Sequence, residues 1–416
     1  MDVCSNSWIS CLYFKIISMK KKIAILGSTG SIGTNSLNIF DRNFKKFKIY
    51  LLSANSNYSL ICKQIVRYKP KYFIINNRTV FEKIKKKYRN KPVKIYNKFS
   101  DINLKKTKFD ITISAIVGIA GLEPTIKFVS HSKKILLANK EAIICGWHLI
   151  KNLSKKNKTK IVPIDSEHFS ISELTKDYKD KDIEKILITA SGGPFLEKPL
   201  KSFKHISASD AAKHPKWKMG KKISIDSSNL MNKVLETIEA YKLFPFSTKK
   251  YQIIIHPQAL VHAIVFFKNG QTKLLYHQTD MRIPIANAIY ENNFDAKIFL
   301  KNRHNKLLNL QNLKFLKVDK KRFPIVTLLK KYSAKKSGPI VLNASNEVLV
   351  DKFIKGKITF KSIFNCLKAV LGDKDYKKYA IKSSPNINDI YKIDKWARFK
   401  TLEIVKKKLI NEKIIL

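Results

Sequence analysis

Short apolar runs alternate with helical periodicity along the first third of the chain. Ile23-Ala24-Ile25-Leu26 is an apolar run closed by glycine, the pattern of a strand buried on both faces. A helical pattern follows from about Ile32 to Phe40. Ile49–Leu52 is the next apolar run, and Leu60–Tyr68 sets Leu60, Ile61, Ile65 and Val66 on one side of a helix. Tyr72–Ile75, Asp110–Ser114 and Ile135–Ala138 continue the alternation. Strand and helix in turn predict an α/β chain opening with a doubly wound, Rossmann-like parallel sheet over residues 21–160. The pattern then changes. Candidate strands Ile161–Ile164, Ile186–Thr189, Ile253–Ile255, Val261–Phe267 and Lys273–Tyr276 surround a helical stretch, Ser228–Leu243, and Gly270 makes a hairpin of the last two. This predicts a mixed α/β domain with an antiparallel portion over 161–290. A looser, polar arm (291–324) leads to residues 325–416, whose helical patterning predicts a terminal helical bundle.

Composition supports folded domains but complicates the choice of partner. Hydrophobic residues make up 44% of 416 residues, which excludes a disordered chain. The net charge of +51 raises nucleic acid or a membrane surface as partners. Arginine, however, is confined to Arg42, Arg67, Arg78, Arg89, Arg282, Arg303, Arg322 and Arg398, and the lysines are spread along the whole chain. A nucleic-acid binder would favour arginine's planar fork and gather it into one basic patch. The excess therefore reads as compositional drift, which helps recruit an anionic substrate, and not as a nucleic-acid site. Five cysteines without CxxC spacing suit a reducing, cytoplasmic setting. No stretch approaches the roughly 18–20 apolar residues of a membrane span. Residues 1–20 read as a dispensable leader, because Met19-Lys20-Lys21-Lys22 looks like the normal start of the first strand.

Gly27-Ser28-Thr29-Gly30-Ser31-Ile32-Gly33 lies between the first strand and the first helix. Glycines there permit a tight turn, and the N–H groups opening the helix can hold a pyrophosphate. The second strand ends in Ala54-Asn55-Ser56-Asn57, with no acid to bind a ribose 2′-hydroxyl, which favours NADP over NAD.

Asp165 and Glu167 close the apolar run Ile161–Ile164. On an extended chain they would share a face, where like charges call for a cation and oxygen ligands suit magnesium or manganese. A solvated strand end is the equal alternative on spacing alone. Glu236 lies in the Ser228–Leu243 helical stretch, capped by Ser227 or Ser228. Ser227, Asn232 and Lys233 could converge on an anion there, although Lys233 also reads as a plain surface lysine. Glu239, one turn after Glu236, could support that site from behind. Ser191 ends a strand in a glycine pair that gives an anion access to the backbone. The His214–Gly220 segment puts Trp217 in a loop suited to a closing lid; a buried anchor is the alternative.

Taken in order, these segments resemble the 1-deoxy-D-xylulose 5-phosphate reductoisomerase family. Further matching segments are Ala115-Ile116-Val117-Gly118, Leu137–Glu141, Asp165–His168, Ile255–Gln258, Asp280–Pro284 and Leu342–Glu347. The resemblance implies an NADPH-dependent oxidoreductase that turns 1-deoxy-D-xylulose 5-phosphate into 2-C-methyl-D-erythritol 4-phosphate for isoprenoid synthesis. It implies retro-aldol cleavage and re-addition followed by hydride transfer. It assigns a divalent ion (Mn2+, Mg2+ or Co2+) to Asp165, Glu167 and Glu236. Substrate contacts fall to Lys140, Ser166 and His214, and phosphate contacts to Ser191, Ser227, Asn232 and Lys233. Cofactor contacts fall to Thr29, Gly30, Ser31, Ile32, Asn57, Asn139, Glu141 and Gly220, with Asn55 and Ser56 beside them, and the lid to Trp217 and Met219. It also implies a homodimer. Asn55 and Ser56 depart from the glycine and lysine usual in the family, and Lys216 and Lys218 from its asparagine and serine.

Overall fold

The computed structural model describes residues 20–217, 219–299, 312–332 and 336–414, so the expected leader, apart from Lys20, and Lys218 lie outside the described residues. Its first sheet has the strands β1 (Lys21–Leu26), β2 (Phe47–Ala54), β3 (Tyr72–Ile75), β4 (Lys94–Tyr96), β5 (Phe109–Ser114), β6 (Ser132–Leu137) and β7 (Lys160–Pro163). Their order is β4-β3-β2-β1-β5-β6-β7, all parallel. The all-apolar run of β1 explains its central place. Ile23 and Ile25 enter one core and Ala24 and Leu26 the core on the opposite face, as the two-residue period of a strand requires. Strand order reverses at β1, which pairs with β2 on one side and β5 on the other. The crevice beyond the carboxyl ends of β1 and β5 is where such sheets bind ligands.

Helices α1 (Ser31–Asp41), α2 (Tyr58–Tyr68), α3 (Arg78–Lys87), α4 (Leu122–Val129) and α5 (Lys140–Asn157) make the connections. The strand expected to open the second block at Ile161–Ile164 is instead β7, the edge of the first sheet, with Leu136 opposite Val162. An apolar run does not disclose which sheet it joins.

After α6 (Ser166–Thr175) comes a second sheet of β8 (Ile183–Ala190), β9 (Tyr251–Ile255), β10 (Val261–Phe267), β11 (Thr272–Tyr276) and β12 (Leu316–Lys317), ordered β11-β10-β8-β9-β12. Only β8 and β9 run parallel. Part of the expected connecting arm thus adds a strand to this sheet. The helix expected over Ser228–Leu243 is two helices, α7 (Lys221–Ser228) and α8 (Met231–Leu243), broken where Leu230 takes a left-handed conformation at φ 66°. Next, α9 (Arg282–Tyr290) packs Ile285, Ala286 and Ile289 into the first sheet's core. The terminal helices α10 (Gly338–Ile354), α11 (Phe360–Gly372) and α12 (Ile387–Ile414) share one core with α5 and α8. No described helix is long and apolar enough to cross a membrane.

Candidate active site

At the end of β1, Gly27 turns the chain at φ 89°, and a Cβ there would meet the Ala115 carbonyl oxygen at 2.7 Å. Any side chain at Gly33 would overlap the backbone of Gly27 and Ser28. Both glycines let α1 start tight against β1. The N-cap residue Gly30 has no side chain to cap the helix, which leaves the first-turn N–H groups of α1 available to an anion. Ser28 is locked behind them, donating to Gln64 Oε1 at 2.6 Å and accepting at its carbonyl from Gln64 Nε2 at 2.9 Å.

One cavity runs from this loop to the carboxylates. Ser31, Ile32, Asn139, Lys140, Glu141, Asp165, Ser166, Glu167, Ser191, His214, Trp217, Met219, Gly220, Ser227, Asn232, Lys233 and Glu236 all line it. Thr29 and Gly30 belong to the turn behind it. Asn55, Ser56 and Asn57 are exposed at the end of β2, outside the lining, and Asn57 Oδ1 caps α2 at the Leu60 N–H (3.1 Å). Asn139 ties the walls together: its Nδ2 donates to the Gly118 carbonyl at 3.0 Å and lies 3.1 Å from Glu141 Oε2, while its Oδ1 caps α5 at Ala142 (2.7 Å). That cap aims Lys140 at the acids.

Asp165 and Glu167 are neighbours, but not by the expected route. β7 stops at Pro163, Asp165 is the N-terminal cap of α6, and Glu167 is in that helix's first turn. Helix N-termini favour carboxylates, whatever the periodicity of a strand. Glu236 joins from α8, and one oxygen from each of the three lies within 4.8 Å of the others. The Lys233 ammonium stands between them, 2.6 Å from Glu236 and bonded to Glu167. Lys140 lies 2.7 Å from Glu239, 3.4 Å from Asp165 and 3.7 Å from Glu236. Four carboxyl groups thus surround two ammonium groups, and with all four acids ionised the cluster is short of two positive charges, which one divalent ion would supply. The donors are oxygens in a mostly buried cluster, as magnesium or manganese requires. Asn232 donates to Glu236, so Asn232 and Lys233 both bond to the acids rather than lying free for an anion.

The cluster's electrostatics follow from burial. Burial pushes Glu167 up to about 7, with Glu236 and Asp165 adding to the rise and Lys233 opposing it. Burial also raises Glu239 well above the usual range, against the pull of Lys140. Burial opposes the charge on Asp165 too, but Lys140, His168 and Lys233 outweigh it and hold this carboxyl low. Burial likewise opposes the charge on Lys233, which Glu167, Glu236 and Asp165 restore. His168 donates from Nε2 to the Glu236 carbonyl at 2.8 Å and so fixes α8 against α6.

Across the cavity, Ser191 follows β8. Gly192 and Gly193 adopt φ 82° and 66°, and a Cβ on Gly193 would lie 2.8 Å from Ser228 Cα. The glycine pair therefore brings Ser191 beside the end of α7. His214 Nδ1 accepts from the Trp217 N–H at 2.9 Å and faces the Lys216 N–H at 3.2 Å, which places its proton on Nε2. Nε2–H then donates to Ser191 Oγ at 3.0 Å, and the Gly193 N–H donates to the same oxygen at 3.2 Å. Both acceptor positions on Ser191 are filled, so its O–H is left to donate into the cavity. Burial, helped by Lys233, lowers His214 to about 4 and keeps it neutral. Ser227 sits in the wall at the end of α7. Neither Ser227 nor Ser228 caps α8, contrary to expectation; Asn229 Oδ1 takes that place at the Met231 N–H (2.9 Å).

Sequence reasoning missed Lys222, Asp226 and His262, which also line the cavity. The His262 ring stacks on His277 with centroids 3.9 Å apart and meets half-buried Trp217 edge-on at 6.0 Å. Periodicity places His262 inside a strand and gives no hint of this encounter.

Comparison with known proteins agrees along nearly the whole chain. Residues 23–146 match the profile described as 1-deoxy-D-xylulose 5-phosphate reductoisomerase, 161–244 that enzyme's C-terminal domain profile, and 277–400 a profile described as DXP reductoisomerase C-terminal domain. The protein of Pelagibacter ubique named 1-deoxy-D-xylulose 5-phosphate reductoisomerase is 44% identical over 384 residues, covering 91% of this chain and 98% of that protein. The protein of the same name from Wolbachia pipientis wMel is 37% identical, covering 94% and 99%. A crystal structure of DOX-P reductoisomerase with NADPH, fosmidomycin and magnesium superposes with TM-score 0.86 at 31% identity, covering 93% of this chain and 98% of that one. The Zymomonas mobilis enzyme with NADPH gives 0.83 at 29%, covering 93% and 99%.

Proposed function

The chain belongs to the 1-deoxy-D-xylulose 5-phosphate reductoisomerase family, and from that premise we propose that it rearranges and reduces 1-deoxy-D-xylulose 5-phosphate to 2-C-methyl-D-erythritol 4-phosphate. One observation carries this reading: a single cavity joins an uncapped, glycine-built helix start to a buried cluster short of two positive charges. That cavity suits a dinucleotide, a divalent ion and an anionic sugar at once.

In this reading Asp165, Glu167 and Glu236 hold a divalent ion. When bound, that ion stabilises negative charge on substrate oxygens and NADPH supplies the hydride. Ser166 donates to Glu167 and fixes that carboxylate's orientation. Lys140, kept charged by Glu239, Asp165 and Glu236 against its burial, stabilises charge at a substrate hydroxyl. The phosphate takes the Ser191 O–H and Ser227, with Asn232 and Lys233 turning toward it, and so orients the reacting carbons from a distance. Trp217 and Met219 close over the substrate and exclude water. Ser31, Ile32, Asn139, Glu141 and Gly220 flank NADPH, whose diphosphate lies on the start of α1 with Thr29 and Gly30 in the turn below. Asn55, Ser56 and Asn57 face its 2′-phosphate. NADPH binding belongs to the unit ending with β7, catalysis to the second sheet and its helices. We place the enzyme in the cytoplasm as a homodimer.

The purified protein, given 1-deoxy-D-xylulose 5-phosphate, NADPH and manganese, is expected to form 2-C-methyl-D-erythritol 4-phosphate, identified by NMR, one per NADPH oxidised. NADPH oxidation yielding another product would overturn the reading.

A further inference from the structure

Helix α7 begins where the lid ends, at Gly220, and finishes with Ser227 in the cavity wall. It therefore links the part of the site that closes to the part that grips. Inside it lies a carboxylate that catalysis does not use. Asp226 is only 1% exposed. Its Oδ1 accepts from Asn346 Nδ2 at 2.8 Å, and its Oδ2 faces Lys222 Nζ at 3.1 Å. Asn346 is wholly buried on α10, among the terminal helices. Lys222 in turn lies 3.8 Å from Glu141, on the cofactor side of the cavity. The next residue on α10, Glu347, is bonded by Arg398 from α12 and by Asn343 at 3.2 Å. A polar chain thus runs from Asn346 of the terminal helices, through α7, to Glu141 in the first turn of α5.

Burying a carboxylate opposes stability unless it is paired and hydrogen-bonded. Apolar packing would hold α7 against α10 at less cost, but apolar contacts let a helix rotate and slide. Directional bonds to one carboxylate fix its rotation. Asp226 immediately precedes Ser227, so its orientation sets that of the serine. We propose that Asp226 is a positioning residue, through which Asn346 of the terminal helices holds α7 so that Ser227 faces the substrate phosphate. The proposal rests on the functional reading above, which assigns Ser227 to that phosphate.

The test compares Asn346→Ala with the exchange Asp226→Asn plus Asn346→Asp, which rebuilds an amide–carboxylate bond between the same positions. Asn346→Ala is expected to raise the KM for 1-deoxy-D-xylulose 5-phosphate about tenfold, the effect of losing one hydrogen bond to a charged group, with kcat changed less. NADPH affinity, read by fluorescence, stays within about twofold on the same scale. The exchange recovers most of the KM. If Asn346→Ala lowers kcat in step with its folded fraction and leaves KM unchanged, Asn346 is merely structural and the proposal fails. If Asn346→Ala does not fold, the exchange decides: a folded exchange variant with near-wild-type KM supports the proposal, and one whose KM stays raised overturns it. Wild-type protein that does not turn over would instead sink the functional reading, and this inference with it.

Discussion

Glu167 is where opposing demands on one carboxyl are sharpest. Burial and two neighbouring acids raise it to about 7 while Lys233 pulls it down. A divalent ion binds the ionised form, so protons compete with it below that pH. Affinity for manganese is therefore expected to fall as pH drops through about 7, with proton release near that pH. Calorimetry in two buffers of different ionisation heat measures this, and identical heats in both would contradict it. His277 makes a different prediction. Burial lowers it from 6.5 to about 4, so between those values the unfolded chain binds more protons than the folded one. Its contribution to stability is complete above 6.5 and is lost as pH falls toward 4. His277→Gln should remove a loss of up to about 3 kcal/mol, so variant and wild-type denaturation curves should converge as pH falls; parallel pH dependences would refute it. Side-chain chemistry was only partly legible in the sequence. The acids of Asp165-Ser166-Glu167 were visible, but their spacing suggested a strand face, whereas a helix cap brings them together. Nothing local connected them to Glu236, or showed that His214 leaves the Ser191 proton free.

Among elements, the strands were the most legible, because strands buried on both faces are written as nearly unbroken apolar runs. The expectations at Tyr72–Ile75 and Val261–Phe267 coincide with β3 and β10. The break between α7 and α8 was not legible, because Leu230 is neither glycine nor asparagine and yet takes a left-handed conformation. That break separates Ser227 from Asn232 and lets them reach the cavity from two helices. The Gly192-Gly193 pair was legible as a turn that opens the backbone, but its closeness to α7, which leaves no room for a side chain on Gly193, was not. Gly193→Ala combines a contact of 2.8 Å with φ 66°. It should destabilise the protein by about 1–3 kcal/mol and raise the substrate KM while leaving NADPH affinity nearly unchanged. Thermal melts and steady-state kinetics measure both effects. Unchanged KM with lowered stability would show that the loop does not position Ser191.

At the scale of the whole molecule, alternation predicted a doubly wound sheet followed by a mixed one. It could not assign β7 to the first sheet, β12 to the second, or the terminal helices to a core shared with α5 and α8. Those assignments depend on contacts between distant segments, which periodicity does not record. The shared core makes the terminal helices part of the catalytic body rather than an appendage. The net charge of +51 is spread over the chain, yet the site itself is a buried acidic cluster that, fully ionised, is short of two positive charges. That local deficit is the centre of the account. The most direct test is a manganese titration of metal-stripped protein, following NADPH oxidation by 1-deoxy-D-xylulose 5-phosphate. Turnover should be absent in chelator and appear in proportion to one bound ion per chain. Glu236→Gln should cut it by more than about a hundredfold while still binding NADPH. Full turnover in chelator, or undiminished turnover in Glu236→Gln, would contradict the account.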